Sequence, residues 1–301
     1  MPTISTQKRI MSKYVVGMGE ALWDVLPDGK KIGGAPANFA YHISQFGLPG
    51  YVVSAVGNDA LGDEIISNFT AKKLNCIIER VPYPTGTVNV TIDKAGIPNY
   101  DITKNVAWDN IPFTPQLKAL AKNTGAVCFG SLAQRNEVSR RTIDSFLSSM
   151  PKTTSTLTVF DINLRQNFYD KDILHSSMNK CNILKINDEE LTAVSQIFNL
   201  PGNEPQDQCR ALIDIYQLKM LILTCGINGS YVFTGSSSSF MPTPKVSVAD
   251  TVGAGDSFTA AFVASLLKGK SLTEAHATAV HTSAFVCTQN GAMPHLPHSI
   301  L

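Results

Sequence analysis

The chain has 301 residues, 44% of them hydrophobic and 16% charged, with a formal net charge of +1. That length supports a large core and room for two units, in a composition ordinary for a globular protein. A charge so close to zero gives no bulk attraction to nucleic acid or an anionic membrane surface, and no apolar run approaches the roughly 20 residues that span a bilayer.

In chain order, residues 1–12 are polar and basic, lack the apolar segment of a secretory signal, and are expected to form an N-terminal extension. Tyr14–Met18 is the first apolar run and is predicted as a buried strand. Residues 26–32, with Pro27-Asp28-Gly29 as the turn, read as a hairpin. A helix is predicted over residues 37–46, stopped at Gly47, then a strand over 51–56 and a helix over 61–74. Thr87, Asn89 and Thr91 alternate strictly with Val88, Val90 and Ile92, the pattern of a half-exposed strand in an antiparallel sheet. Further strands are predicted at 126–129, 157–160, 183–186 and Met220–Thr224, with a helix over 139–148. The serines at 236–239 read as a surface loop, and there is no internal repeat. Phe258, Ala261, Phe262 and Leu266 recur at helical spacing.

Strands alternating with helices predict an α/β body whose mostly parallel sheet is covered on both faces. The hairpin and the 87–92 strand are expected to form a small β-sheet lid of the kind that keeps water from an activated phosphate. A flap that only helps a dimer form is the second reading, and an apolar lid face needs cover in either case. The six cysteines, Cys76, Cys128, Cys181, Cys209, Cys225 and Cys287, contain no C-x-x-C pair. They are expected to be reduced thiols of a cytoplasmic protein, not a disulfide framework or a zinc site.

The string Asp250-Thr251-Val252-Gly253-Ala254-Gly255-Asp256-Ser257 runs straight into the helical pattern at Phe258. Gly253, Ala254 and Gly255 should form a tight turn at a helix N-terminus, where free N–H groups and the helix dipole favour an anion. Asp256 would repel a phosphate bound there unless a neutral hydroxyl lies between them and yields its proton to the carboxylate. That arrangement is phosphoryl transfer to an alcohol; a plain turn with a first-turn acid is the alternative. Gly33-Gly34-Ala35-Pro36-Ala37-Asn38 also precedes a helix, and its glycines and amide suit a polyol or a capped turn. Gly57-Asn58-Asp59-Ala60-Leu61-Gly62 lacks the Lys-Ser/Thr of a Walker A loop, and nothing else in the chain supplies one. Asp161-Ile162-Asn163-Leu164-Arg165 follows a predicted strand, where ligands of α/β sheets bind, and Arg165 has the planar fork that suits oxyanions. Asn187 and Glu190 read either as hard oxygen ligands for magnesium or as a helix cap. Thr224-Cys225-Gly226-Ile227-Asn228-Gly229 reads as a turn closing a strand.

Together these strings resemble the ribokinase-like (PfkB) carbohydrate kinases, in the family's order, from about Tyr14 to Pro297. The resemblance implies a three-layer α/β sandwich with a mostly parallel central sheet and a small β-sheet lid. It implies a kinase domain over 13–301, with the lid formed by about 25–34 and 84–112. Asp256 matches the family's catalytic base, and the Gly253-Ala254-Gly255 backbone matches its anion hole. Asp24, in Gly19-Glu20-Ala21-Leu22-Trp23-Asp24, matches a sugar-binding carboxylate, with Gly33, Gly34 and Asn38 beside it. Arg165 is implied at the phosphate or the sugar. Asn187 and Glu190 match a motif that positions Mg2+ through water. Thr224, Gly226 and Gly229 match the turn that holds ATP. The stretches around Asp250, Val252 and Gly291 match a monovalent-cation site, taken by K+. Tyr100-Asp101-Ile102, Ala107-Trp108-Asp109 and Phe129-Gly130-Ser131-Leu132 look most like the fructokinase branch, where Trp108 would stack on the sugar or pack the lid. The resemblance therefore implies an ATP-dependent kinase acting on a primary hydroxyl of a ketose, fructose to fructose 6-phosphate. Ribokinase, another sugar or nucleoside kinase, and a non-catalytic sugar sensor are the rivals. A homodimer through the lid is implied, with no nucleic-acid or membrane partner.

Overall fold

Val15 and Val16 are adjacent, both fully buried, and belong to different cores. Successive strand residues face opposite sides, so a strand buried on both faces is apolar throughout. The computed structural model describes residues 13–26, 29–92 and 98–301, with backbone alone at 90–92 and 98–100. The 1–12 extension, Pro27 and Asp28 of the predicted turn, and the Tyr100 side chain lie outside the described residues.

The elements in chain order are β1 (Tyr14–Met18), β2 (Leu22–Leu26), β3 (Gly29–Gly33), α1 (Ala35–Gln45), β4 (Gly50–Gly57), α2 (Ala60–Ala71), β5 (Asn75–Val81), β6 (Gly86–Ile92) and β7 (Pro98–Ile102). Next come α3 (Pro115–Lys122), β8 (Thr124–Phe129), α4 (Glu137–Ser149), β9 (Leu157–Asp161), α5 (Lys171–Lys180), β10 (Ile183–Asn187), α6 (Asp188–Phe198) and α7 (Pro205–Tyr216). The last are β11 (Met220–Thr224), β12 (Ser230–Thr234), β13 (Ser238–Met241), α8 (Ala254–Leu267) and α9 (Leu272–Cys287).

The large sheet has nine strands in the order β13-β12-β11-β10-β9-β8-β1-β4-β5. Its pairings are parallel from β11 to β5, and β12 and β13 are added antiparallel. One face, including Val15, Val159, Ile183 and Ile222, is covered by α1, α8 and α9 through Phe39, Ile43, Phe258 and Phe262. On the same side, Ile65 and Phe69 of α2 cover Val52 and Val56. The opposite face, including Val16, Phe129, Phe160, Leu184 and Leu221, is covered by α3 to α7 through Leu117, Phe146, Leu174, Leu191 and Leu212. This is the three-layer α/β sandwich expected from the alternating pattern.

β1 pairs with β4 on one side and with β8 on the other. The chain therefore reverses its direction of travel across the sheet at β1, and loops at the carboxyl ends of the strands leave a crevice at such a point.

The lid is a four-stranded sheet in the order β3-β2-β6-β7. It is mixed, which corrects the expected antiparallel arrangement: β2–β3 and β6–β7 are antiparallel, but β2 and β6 are parallel. The chain passes through α1, β4, α2 and β5 between them, and a connection of that length is what parallel pairing requires. The half-exposed reading of β6 holds at the residues described, with Val88 buried and Asn89 exposed. The serine stretch is also corrected. Ser238 and Ser239 belong to β13 and pair with Phe233 and Val232, because an edge strand with a solvent face accepts small polar residues.

Helix ends follow local chemistry. Asp59 caps α2 by accepting from Gly62 N at 2.8 Å, and the same carboxylate accepts from Thr85 N at 2.8 Å and Thr85 Oγ1 at 2.6 Å. Asp59→Ala removes the cap and the tie to the segment entering β6. We expect a stability loss of about 1–2 kcal/mol by chemical denaturation, with turnover unchanged because Asp59 does not line the cleft. All six cysteines are free, and burial pushes the Cys181 and Cys209 thiols up to about 12. Among the described residues no helix is long and apolar enough to cross a membrane.

Candidate active site

The carboxyl ends of the parallel strands, the lid and the start of α8 enclose one large cleft. At its floor is the turn into α8. Gly253 adopts a left-handed φ of 77° as the N-cap, and a Cβ there would lie 2.5 Å from that of Ala292. Only glycine fits that close approach in that conformation. The first-turn N–H groups of α8 have no partner within the helix, although Ala254 N donates to Thr251 O at 3.3 Å, and Gly253, Ala254 and Gly255 border the cleft as an anion cradle.

Asp256 sits in the same first turn. Asn38 of α1 donates from Nδ2 to Asp256 Oδ2 at 2.7 Å. Burial, then the nearby Asp161 carboxylate, raise the Asp256 pKa to about 6, against the pull of the Asn38 hydrogen bond, Lys185 and Arg165. Asp161, at the end of β9, is matched by Lys185 of β10. Their Nζ and Oδ1 atoms are 3.1 Å apart, an ion-pair contact. Burial alone would lower the Lys185 pKa, but Asp161 and Glu190 turn the net effect upward and keep the ammonium charged. A Cβ on Gly255 would lie 3.1 Å from that ammonium, so a buried positive charge adjoins the anion cradle.

The other wall comes from the lid. The two-residue period of β2 turns Leu22, Asp24 and Leu26 to the cleft and leaves Trp23 packed with Ile65 and Phe69. Gly33 leaves room for the Asp24 carboxylate, which a Cβ there would strike, and Gly34 approaches the Glu20 carbonyl with φ 114°. Burial raises the Asp24 pKa to about 6, opposed by Arg165 and Lys31. Glu20, in the turn after β1, is raised by burial to about 7.

Arg165 is exposed on the loop after β9 and lines the cleft. Asn187 and Glu190 form a reciprocal cap on α6: Glu190 N donates to Asn187 Oδ1 at 2.7 Å, and Asn187 N donates to Glu190 Oε2 at 2.9 Å. Leu164 N donates to Glu190 Oε1 at 3.0 Å. Both residues still border the cleft. Thr224, Gly226 and Gly229 lie at the turn between β11 and β12, where Cys225 N donates to Gly229 O at 2.9 Å, and they line the far end of the cleft. Asp250 draws its loop and the C-terminal segment together. Its Oδ1 accepts from Val252 N at 3.0 Å, and its Oδ2 accepts from Gly291 N at 3.1 Å.

One candidate is corrected. Trp108 does not border the cleft, so it does not stack on the sugar; it packs the lid, fully buried in the core that the lid residues Leu22, Val88 and Ile102 share, with its Nε1 in the space a Cβ on Gly86 of β6 would take. Its ring is stacked by Arg135, whose guanidinium lies 4.1 Å from the ring centroid and is held by Asp109 at 2.7 Å. The Asp109 carboxylate also accepts from Val106 N, which turns residues 107–110 inward. The 57–62 turn likewise lies outside the cleft lining. Three residues had no assigned role from sequence: Glu20, Asp161 and Lys185. The available signal was a lysine inside an otherwise apolar strand, Ile183-Leu184-Lys185-Ile186, since lysine is seldom buried without a partner.

Comparison with known proteins agrees with this arrangement. Residues 25–299 match the pfkB family of carbohydrate kinases. An ATP-dependent 6-phosphofructokinase of Thermoanaerobacterium thermosaccharolyticum is 28% identical over 274 residues, covering 89% of this chain and 82% of that protein. A fructokinase of Rhizobium leguminosarum bv. trifolii is 27% identical over 293 residues, covering 92% of this chain and 86% of that protein. The crystal structure of a fructokinase with bound ATP from Xylella fastidiosa superposes with a TM-score of 0.84 at 19% identity, covering 95% of this chain and 96% of that one. That likeness establishes the fold; the match over most of the chain establishes the family. The protein belongs to the pfkB family of ribokinase-like carbohydrate kinases.

Proposed function

We propose that this protein transfers the γ-phosphoryl group of ATP to a primary hydroxyl of a ketose, with fructose as the substrate and fructose 6-phosphate as the product. The observation that carries the reading is Asp256, a half-buried carboxylate beside an anion cradle, its pKa raised to about 6, with an anchoring hydrogen bond from Asn38. Asp24, Gly33, Gly34 and Asn38 hold the sugar, the carboxylate accepting from hydroxyls. Asp256 takes the proton of the attacking hydroxyl as its oxygen bonds to the γ-phosphorus and the bond from that phosphorus to ADP breaks. The backbone N–H groups of Gly253, Ala254 and Gly255 carry the charge on the moving phosphoryl group, and Arg165 assists from the opposite wall. Thr224, Gly226 and Gly229 bed the nucleotide.

The donor set fits Mg2+ held at one remove. Glu190 and Asn187 offer hard oxygens at the cleft, but each already accepts from a backbone N–H, which suits contact through retained waters. When bound, the ion draws charge from the phosphate oxygens. Asp250, Val252 and Gly291 lie close enough to brace the cradle around K+. Residues 13–301 act as one kinase unit, with a lid from about 25–34 and 84–112. The lid pairs with that of a second copy, in a cytoplasmic homodimer.

The test is ADP release with MgATP across fructose, ribose, tagatose, 2-keto-3-deoxygluconate, fructose 6-phosphate and adenosine, with and without K+. Turnover on fructose alone supports the full reading. Turnover on another acceptor keeps the chemistry and replaces the sugar. Sugar binding with no turnover on any acceptor overturns it in favour of a sensor.

A further inference from the structure

Glu20 is only 3% exposed, its Oε2 has no hydrogen-bond partner, and the reaction above gives it no task. A buried carboxylate oxygen without a partner is costly. It borders a small recess at the cleft floor that Cys128, Asp161 and Asp256 also line. The recess has room for about one water, and although most of its exposed lining is apolar, the Glu20, Asp161 and Asp256 carboxylates offer that water partners. Among the described residues no group of His, Cys, Asp or Glu has an arrangement that could hold a metal ion.

We propose that Glu20 is a second proton station, reached from Asp256 through a single water in this recess, and that it takes up the proton the base removes from the acceptor hydroxyl. This rests on the kinase reading. The balance is simple. The acceptor O–H proton passes to Asp256 as the new O–P bond forms and the bond to ADP breaks. The water then takes that proton and gives one of its own to Glu20, leaving Asp256 ionised. After the products leave, Glu20 returns the proton to solvent by the same water.

The surrounding groups fit such a station. Glu20 is faced by Asp256 from α8 and Arg165 from the loop after β9, and shares its recess with Asp161 of β9 and Cys128 of β8, while Lys185 of β10 lies against Asp161. Burial holds the Cys128 thiol neutral, so it is no acceptor, and Asp161 has the Lys185 ammonium beside it. Burial raises both carboxylates, Glu20 to about 7 and Asp256 to about 6, so both can hold a proton close to neutral pH.

A purely structural role is the competing account, because the backbone amides of Glu20 and Ala35 reach the carboxylate. Glu20→Gln separates the two, since an amide oxygen still accepts from those amides but takes no proton. On the acceptor found by the substrate panel, kcat should fall about tenfold or more with both KM values unchanged. The acid-side step near 7 in the wild-type kcat profile should disappear, leaving the Asp256 step near 6. Wild-type kcat and profile in Glu20→Gln overturn the relay. Asp256→Asn at wild-type rate would instead sink the kinase reading and the relay with it. A fully active Glu20→Gln beside an inactive Asp256→Asn sinks the relay alone.

Discussion

Asp256→Asn is expected to lower kcat by about 10²–10⁴-fold, the range a positioned general base supplies, and to raise the melting temperature. The amide is nearly isosteric and still accepts from Asn38, so the cleft keeps its shape. The rise in stability follows from burial. Unfolded, the carboxyl ionises near 3.8; folded, near 6. Between those values the native protein holds a proton the unfolded chain has lost, so stability falls as pH rises through that window, and the cost persists above it. A residue that cannot ionise escapes that cost. Steady-state kinetics and thermal unfolding on the same preparation check both halves. In wild type, activity should fall as pH drops through about 6, because a protonated Asp256 accepts nothing. Wild-type turnover in Asp256→Asn would remove it as the base.

Lys185→Met should be the most destabilising single change at the site, about 3–5 kcal/mol by urea unfolding. It strands Asp161, whose side chain is 8% exposed, without its cation. The double change Lys185→Met with Asp161→Asn should recover much of that loss, since no buried charge is left over. Turnover should stay low in both, because the ammonium beside Gly255 adds to the potential that holds the phosphoryl group. A single variant within about 1 kcal/mol of wild type, or a double variant no better than the single, would show that the pair is not held as argued.

Much of this site was legible because its chemistry depends on local strings. Gly253-Ala254-Gly255-Asp256 carries its turn, cradle and carboxylate in consecutive residues, and local sequence decides such a turn. Asn187 and Glu190 were legible for a similar reason, as a cap whose two halves are three residues apart. Strand positions followed from apolar runs. Which of its two expected roles Trp108 takes was not legible, because its burial under the lid depends on Arg135 and Phe168, the latter with its ring centroid 4.6 Å from the same guanidinium. The lid was read as antiparallel because alternation reports a half-buried strand but not the direction of its neighbour.

The sequence by itself determined the α/β class, the strand and helix order, the glycine turns and the identity of Asp256, all of which rest on contacts between near neighbours. Only the tertiary structure decided what Asp256 meets. Asn38 reaches it across 218 positions, Asp161 and Lys185 come from adjacent parallel strands, and Glu20 is raised to about 7 only because folding removes it from water. Burial and the proximity of charges distant along the chain set those acidities, and neither exists until the layers close.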